Sequence, residues 1–426
     1  MLADAPWIER RRYFEDTRIN CVMSMDRQKR VLMLGGSLAQ VPSIKKAKEM
    51  GLYVITCDYL PNNPGHQFAD EYYNVSTTDK EGVLEIAKTL HIDGVVCYAS
   101  DPAAPTAAYV AESLGLPTSP YRSVDILCNK YKFRKFLKEH GFCTPNVVSS
   151  KDFEELFHEV QQLKFPVIIK PVDSSGSKGV SILTKIEEFE EAFNAAKHFS
   201  RDGRIIVEEC VESIGAPLAG DAFSVNGKLA FWAFSDDHFD MNSNNPLAPV
   251  SETYPYTKSI IMQQRIVDEI NRLLYLLDMK TVAYNIEVRI DANDSIYLME
   301  VAPRNGGNGI PEVTKYATGV DMIEYTIKAA LGMDCTDLQQ KEVNGFWSTY
   351  MVHSNKAGKF VRIDIDEEYK KNNYVAFETG FMPGDEVIAF SGSNGAMGTM
   401  ISKFSSYEEM MEKTYNFEKY VKVIVE

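Results

Sequence analysis

Apolar and polar positions follow two rhythms along this chain. Between residues 30 and 114, short apolar runs (30–34, 53–58 and 94–98) alternate with stretches of helical periodicity (41–50, 82–90 and 105–114). Strands interleaved with helices predict a small parallel sheet of βαβ units, so residues 28–120 are expected to form a Rossmann-like domain. Beyond Pro117 and Pro120 the pattern turns helical over 129–137 and breaks at Gly141 and Pro145. A further strand-and-helix unit is expected to about residue 210, then a strand-rich stretch to about 305. From Val343 onward the pattern is mostly strand-like, with a helix near 407–411 and a last strand at 420–425.

Inside the strand-rich stretch, Val282, Tyr284, Ile286 and Val288 alternate with polar residues, as do Ile296 and Leu298. The residues between them, Asp291-Ala292-Asn293-Asp294, make an acidic turn, so the whole predicts an antiparallel hairpin. Glu287 and Glu300 fall on its two strands. Carboxylates side by side repel unless something positive lies between them. A hard divalent cation fits, because Mg²⁺ takes one or two carboxylates together with substrate phosphates. Arg304, just beyond, offers a planar fork for a phosphate or carboxylate. On the hairpin alone a second reading stands equally: two solvated acids, one of them paired with Arg304.

Composition narrows the class. With 45% hydrophobic, 11% aromatic and 25% charged residues, a 426-residue chain reads as a soluble globular protein of two to four domains. A formal charge of -15 opposes a nucleic-acid partner. No apolar run reaches the eighteen or so residues that span a membrane. Seven cysteines (Cys21, Cys57, Cys97, Cys128, Cys143, Cys210 and Cys335) are dispersed singly, which suits the reducing cytoplasm. Residues 1–27 carry Arg10-Arg11-Arg12 and no apolar signal core. They read as a polar extension or an over-long start before Met23 or Met25.

Two further segments carry chemistry. The apolar run 166–169 delivers Lys170 at its end, and Asp173-Ser174-Ser175-Gly176-Ser177-Lys178-Gly179 follows. Such a small-residue loop between two strands lets backbone N–H groups approach phosphate oxygens, with Lys170 adding a point charge. A plain hairpin turn is the simpler alternative. The run 205–207 ends in Glu208-Glu209-Cys210-Val211, an extended segment whose backbone can pair with an adenine edge, beside apolar Val180, Ile206 and Val211. The loop is no Walker A motif. Gly35-Gly36-Ser37, with Asp58 downstream, lacks the third glycine of a dinucleotide fingerprint. The segment 234–256, rich in Asp, Asn and Pro, is expected to cover the site, and its His238 reads as an ordinary surface residue.

Taken in order, Lys130, Lys170 with its glycine loop, Glu208 to Val211, Glu287, Glu300 and Arg304 resemble the ATP-grasp superfamily. The likeness is to its carboxylate-amine ligases and to the carbamoyl phosphate synthase and biotin carboxylase branches, from about residue 28 to the end. It implies an α/β fold with α+β lobes. A Rossmann-like pre-ATP-grasp domain spans 28–120. An ATP-grasp domain follows over 121–335, with lobes at 121–210 and 211–335, and a mostly β C-terminal domain at 336–426.

By position, the resemblance makes Lys130 and Lys170 phosphate-binding lysines, and Ser174, Ser175, Gly176, Ser177 and Gly179 the phosphate loop. It makes Glu208, Glu209 and Val211 the adenine hinge, Asp221 an acid near the ribose, and Glu287 and Glu300 metal ligands. Arg304 and Lys170 become the catalytic pair. The implied cofactors are ATP and Mg²⁺, with Mn²⁺ as a substitute. The implied reaction activates a carboxylate as an acyl phosphate for attack by an amine, with amino acids among the candidate substrates. Alternatives are a bicarbonate-phosphorylating enzyme, here without a biotinyl-carrier segment, and an idle nucleotide-binding module. A homodimer is a family-level expectation. One departure stands out: the family motif Glu-x-Asn-x-Arg has Ala302 at its Asn position, which removes an expected ligand of a second metal.

Overall fold

The computed structural model describes residues 27–241, 243–392 and 395–426. Residues 1–26 of the polar extension, Cys21 among them, lie outside the described residues.

The first rhythm folds as four parallel strands, β1 (Arg30–Leu34), β2 (Tyr53–Cys57), β3 (Glu71–Tyr73) and β4 (Gly94–Cys97), in the order β3-β2-β1-β4. Strands β1, β2 and β4 are almost wholly apolar because helices cover both faces. Strand β3 was not expected. Its sequence, Glu-Tyr-Tyr, has no apolar alternation, and it exists because the edge of β2 supplies hydrogen bonds. The Gly35-Gly36 turn is filled from within. Asp58 accepts the Gly36 N–H at 3.0 Å, and His66 lies where a side chain at Gly36 would project.

A second sheet holds β5 (Val147–Ser150), β6 (Val167–Pro171), β7 (Ser181–Leu183) and β8 (Ile205–Glu209), in the order β5-β8-β6-β7. Val167, Ile169, Ile205 and Val207 pack one face onto Phe189 and Phe193 of a helix, leaving Lys170 and Glu208 on the other.

The remaining strands are β9 (Leu218–Val225), β10 (Lys228–Phe239), β11 (Pro249–Tyr254), β12 (Val282–Ile290), β13 (Ile296–Ala302), β14 (Phe346–His353), β15 (Gly358–Ile365), β16 (Tyr374–Phe377), β17 (Glu386–Val387), β18 (Ala396–Phe404) and β19 (Val421–Val425). Eight of them form one sheet in the order β13-β12-β9-β10-β11-β14-β18-β16. Residues on either side of position 336 therefore share a sheet through the β11–β14 pairing, while β17-β15-β19 form a small sheet apart. A 17-residue helix, Ile260–Leu276, interrupts the stretch expected to be strand-rich. Its Ile266, Ile270, Leu273 and Leu274 recur at helical spacing and bury against Ile286, Val288 and Leu298, so tertiary burial completes a pattern first read only locally. The segment 234–256 is also mostly strand, the β10–β11 pair, with 240–248 connecting them.

Candidate active site

The β12–β13 hairpin forms with Glu287 directly opposite Glu300. Alternation explains which way they face. Ile286, Val288 and Val301 point into the core beneath the long helix, so the intervening acids emerge on the opposite side. A bulge after Glu287 offsets the strands there. Neither carboxylate accepts a hydrogen bond among the described residues, which leaves both acceptor sets free for a cation. Burial pushes the Glu300 carboxyl up to about 7, helped by Asp101 and Glu287 and opposed by Lys130 and Arg304. Two facing acids on adjacent strands are a fitting donor set for Mg²⁺.

Arg304 lies against this pair. Its Nη2 is 3.7 Å from Glu300 and 2.5 Å from Asp101 of the first domain, and its Nη1 donates to the Asn305 carbonyl. Burial alone would lower its pKa, yet Asp101, Glu300 and Asp221 raise it, so the guanidinium stays charged. The following turn is held tightly. Both Asp221 oxygens receive the Gly306 N–H, at 2.8 and 2.9 Å, and Thr326 donates to Asn305 Oδ1. A Cβ at Gly306 would lie 2.7 Å from Ile310 and 2.8 Å from Asp221, so only glycine fits.

Lys130 opens the helix Lys130–Glu139, capped by Asn129. Its N–H donates to the Val172 carbonyl and its ammonium to the Ser174 carbonyl at 2.7 Å, which ties this lysine to the loop after β6. Lys170 pairs with Glu208 at 2.8 Å. The two lie diagonally on one face, Lys170 opposite Ile206 and Ile168 opposite Glu208. Arg134, one turn after Lys130, donates to the other Glu208 oxygen through Nε and Nη2 at 3.2 Å each. Burial works to raise the Glu208 pKa, but Arg134 and Lys170 outweigh it and hold the carboxyl at about 2. Burial also pulls Lys170 below the ordinary lysine value, against Glu208.

The phosphate-type loop turns through left-handed Gly176, Ser177 and Gly179. Asp173 anchors its start by accepting the N–H groups of Arg201 and Asp202. The Ser177 hydroxyl donates to the Leu247 carbonyl, joining the loop to the β10–β11 connection. Next to β8, the Glu209 N–H serves the Asn146 carbonyl and the Cys210 N–H serves Pro166. Val211 is the first residue there whose N–H has no partner among the described residues.

Two acids are committed within the fold, and one expectation, that of a surface His238, needs correction. Asp221 is 0% exposed and bonded to Gly306 and Asn285, so its carboxylate supports the turn after Arg304. The Glu208 side chain belongs to the lysine pair and the Glu209 carboxylate accepts the Lys164 N–H, which leaves the hinge reading where it was made, on the backbone of this segment. His238 is buried, 2.7 Å from Thr253 Oγ1, and burial lowers it to about 4. Two contributors were not anticipated. Arg134 had only a basic residue one helical turn after Lys130 as its signal. Asp101 lay just past the carboxyl end of a parallel strand, where open α/β sheets place ligands.

An acid pair, an arginine, two lysines and a glycine loop make a donor set with the chemistry to hold a divalent cation and phosphate oxygens. Residues 163–312 match the ATP-grasp domain family model. The chain is 23% identical over 330 residues to a formate-dependent phosphoribosylglycinamide formyltransferase of Bacteroides thetaiotaomicron, covering 74% of this chain and 80% of that protein. An L-amino acid ligase of Bacillus licheniformis superposes with TM-score 0.77 at 20% identity, over 94% of this chain and all of that one. The biotin carboxylase domain of a Hydrogenobacter thermophilus 2-oxoglutarate carboxylase, solved with MgADP and bicarbonate, gives TM-score 0.71 at 16% identity, over 94% and 92%.

Proposed function

We propose that the chain is an ATP- and Mg²⁺-dependent ligase that phosphorylates a carboxylate and joins it to an amine. The observation that carries this reading is the Glu287–Glu300 pair facing Arg304, with two lysines at the glycine loop.

A free carboxylate is a poor electrophile. One of its oxygens attacks the terminal phosphorus of ATP, the bond to the bridging oxygen breaks, and ADP leaves. The amine nitrogen then attacks the acyl carbon, inorganic phosphate departs with the bonding pair, and the nitrogen loses a proton. Lys130 and Lys170 neutralise phosphate charge, and Lys130 must exchange the Ser174 carbonyl for a phosphate oxygen to do so. Arg304, fixed by Asp101, presents its remaining donors to the carboxylate and then to the acyl phosphate. Such prearranged charge supplies most of the rate in phosphoryl transfer. Glu287 and Glu300 would hold Mg²⁺, which supplies charge neutralisation for the phosphates; Mn²⁺ is expected to substitute. The Val211 N–H suits an adenine edge.

The Bacteroides relative's name contains formate, and the Bacillus neighbour is named for amino acids. Both fit a small carboxylate here. We further propose a cytoplasmic protein acting as a homodimer; among the described residues no helix is long and apolar enough to cross a membrane.

Phosphate release from ATP and Mg²⁺ tests the reading, with formate or single amino acids as carboxylates and amino acids as amines. Release that needs both partners, with an amide product by mass, is expected. Release with bicarbonate alone supports a carboxyphosphate-forming enzyme instead, and binding without release supports an idle module.

A further inference from the structure

Away from the ATP site, Asp240, His353 and Glu418 converge from three elements: the residue after β10, the last residue of β14 and the short helix Phe417–Tyr420. One ligand atom from each lies within 4.8 Å of the other two. Ligands bound tetrahedrally to one cation at roughly 2.0–2.2 Å stand about 3.3–3.6 Å apart, so side-chain adjustments of up to about 1.5 Å close the set.

His353 carries the argument. Its Nδ1 lies 2.7 Å from the Met351 carbonyl. A carbonyl only accepts, so Nδ1 bears the proton and Nε2 a lone pair. That Nε2 is buried with no hydrogen-bond partner, in a residue only 9% exposed. The ring is immobilised by Phe390, stacked at 4.0 Å, and by Tyr350. An imidazole whose far nitrogen donates to a carbonyl is oriented as metal-bound histidines are. A buried nitrogen lone pair left without a donor is costly, and a cation bound there would satisfy it. Glu418 accepts from Asn355 through Oε1 alone, at 3.4 Å, leaving Oε2 for a metal.

We propose that Asp240, His353 and Glu418 bind a first-row divalent cation, Zn²⁺ by preference. One imidazole with two carboxylates selects a borderline metal over the hard Mg²⁺ suited to Glu287 and Glu300. Its position gives it a task. Asp240 begins the 240–248 connection, Asn245 of that connection donates to the Ser391 carbonyl, and Leu247 receives Ser177 of the phosphate loop. A cation at this point fastens the strap over that loop to β14 and the C-terminal helix.

The test uses the full chain, stripped with chelator and free of nucleotide, titrated with Zn²⁺ and, for its visible spectrum, Co²⁺. One high-affinity equivalent is expected in the wild type and in Glu300→Gln. Affinity should fall at least about tenfold in His353→Gln and in Glu418→Gln, with loss of the imidazole-dependent Co²⁺ spectrum and of the Zn²⁺-induced rise in Tm. Glu418 is exposed, so its variant folds even if His353→Gln does not. Absence of Zn²⁺ binding in the wild type, affinity unchanged in Glu418→Gln, or an equivalent lost in Glu300→Gln instead would each overturn the proposal.

Discussion

Asp101 Oδ1 and Arg304 Nη2 stand 2.5 Å apart across the boundary between the Rossmann-like domain and the glutamate hairpin. The first domain thereby fixes the guanidinium that faces Glu300. Asp101→Asn keeps the shape and removes the charge, so ADP formation is expected to fall by roughly 10-fold or more while the fold persists. Arg304→Ala removes the fork itself and should cost on the order of 10²- to 10³-fold. Steady-state ADP release under saturating ATP reads both. Wild-type turnover in Arg304→Ala would remove the arginine from the mechanism.

Glu300→Gln preserves size and deletes the charge proposed to bind the metal. Mg²⁺-dependent ADP formation should drop on the order of 10²- to 10³-fold, and the Mg²⁺ concentration for half-maximal rate should rise. Glu287→Gln is expected to behave alike, because the two carboxylates oppose each other on adjacent strands. A variant with an unchanged Mg²⁺ requirement would place the metal elsewhere.

The raised pKa of Glu300 makes stability depend on pH in a stated direction. The folded carboxyl titrates at about 7 and the ordinary value is 4.5, so between these limits the folded state keeps a proton the unfolded state has lost. Stability from this group is full below 4.5 and is lost as pH rises through about 7. Thermal melts without Mg²⁺ should show that loss in the wild type and a smaller one in Glu300→Gln, while Mg²⁺ should stabilise the wild type increasingly above pH 7. Parallel curves for both proteins would contradict it.

Arg134→Ala leaves Glu208 buried with a single partner, Lys170. Breaking a buried pair of this kind typically costs about 3–5 kcal/mol, measurable by urea unfolding. Arg134→Met is expected to recover part of the packing but not the nucleotide affinity, because Lys170 then loses its fixed counter-ion. Equal ATP binding in both variants and the wild type would show that the pair only supports the fold.

Much of the architecture was legible because its causes are local. Apolar runs with helices between them imposed the parallel sheet, and the alternation at Val282–Ile290 imposed the hairpin that pairs Glu287 with Glu300. The helix Ile260–Leu276 was not read, since its stripe gains meaning only against Ile286 and Leu298. At the candidate site, Lys130, Lys170, Glu287, Glu300 and Arg304 could be proposed from their order in the chain. Asp101 lies 203 positions before Arg304 and Arg134 lies 74 before Glu208, and no local pattern reports contacts at that separation.

By itself the sequence determined which residues could bear the chemistry, because side-chain type and strand period are properties of short segments. Only the tertiary structure decided what each charge faces. It turned Asp221 inward to Gly306, Glu208 to Lys170 and Arg134, and Asp101 to Arg304. The physical reason is burial: once water is excluded, each charged group must find its partner across the fold, and those partners set its pKa and role.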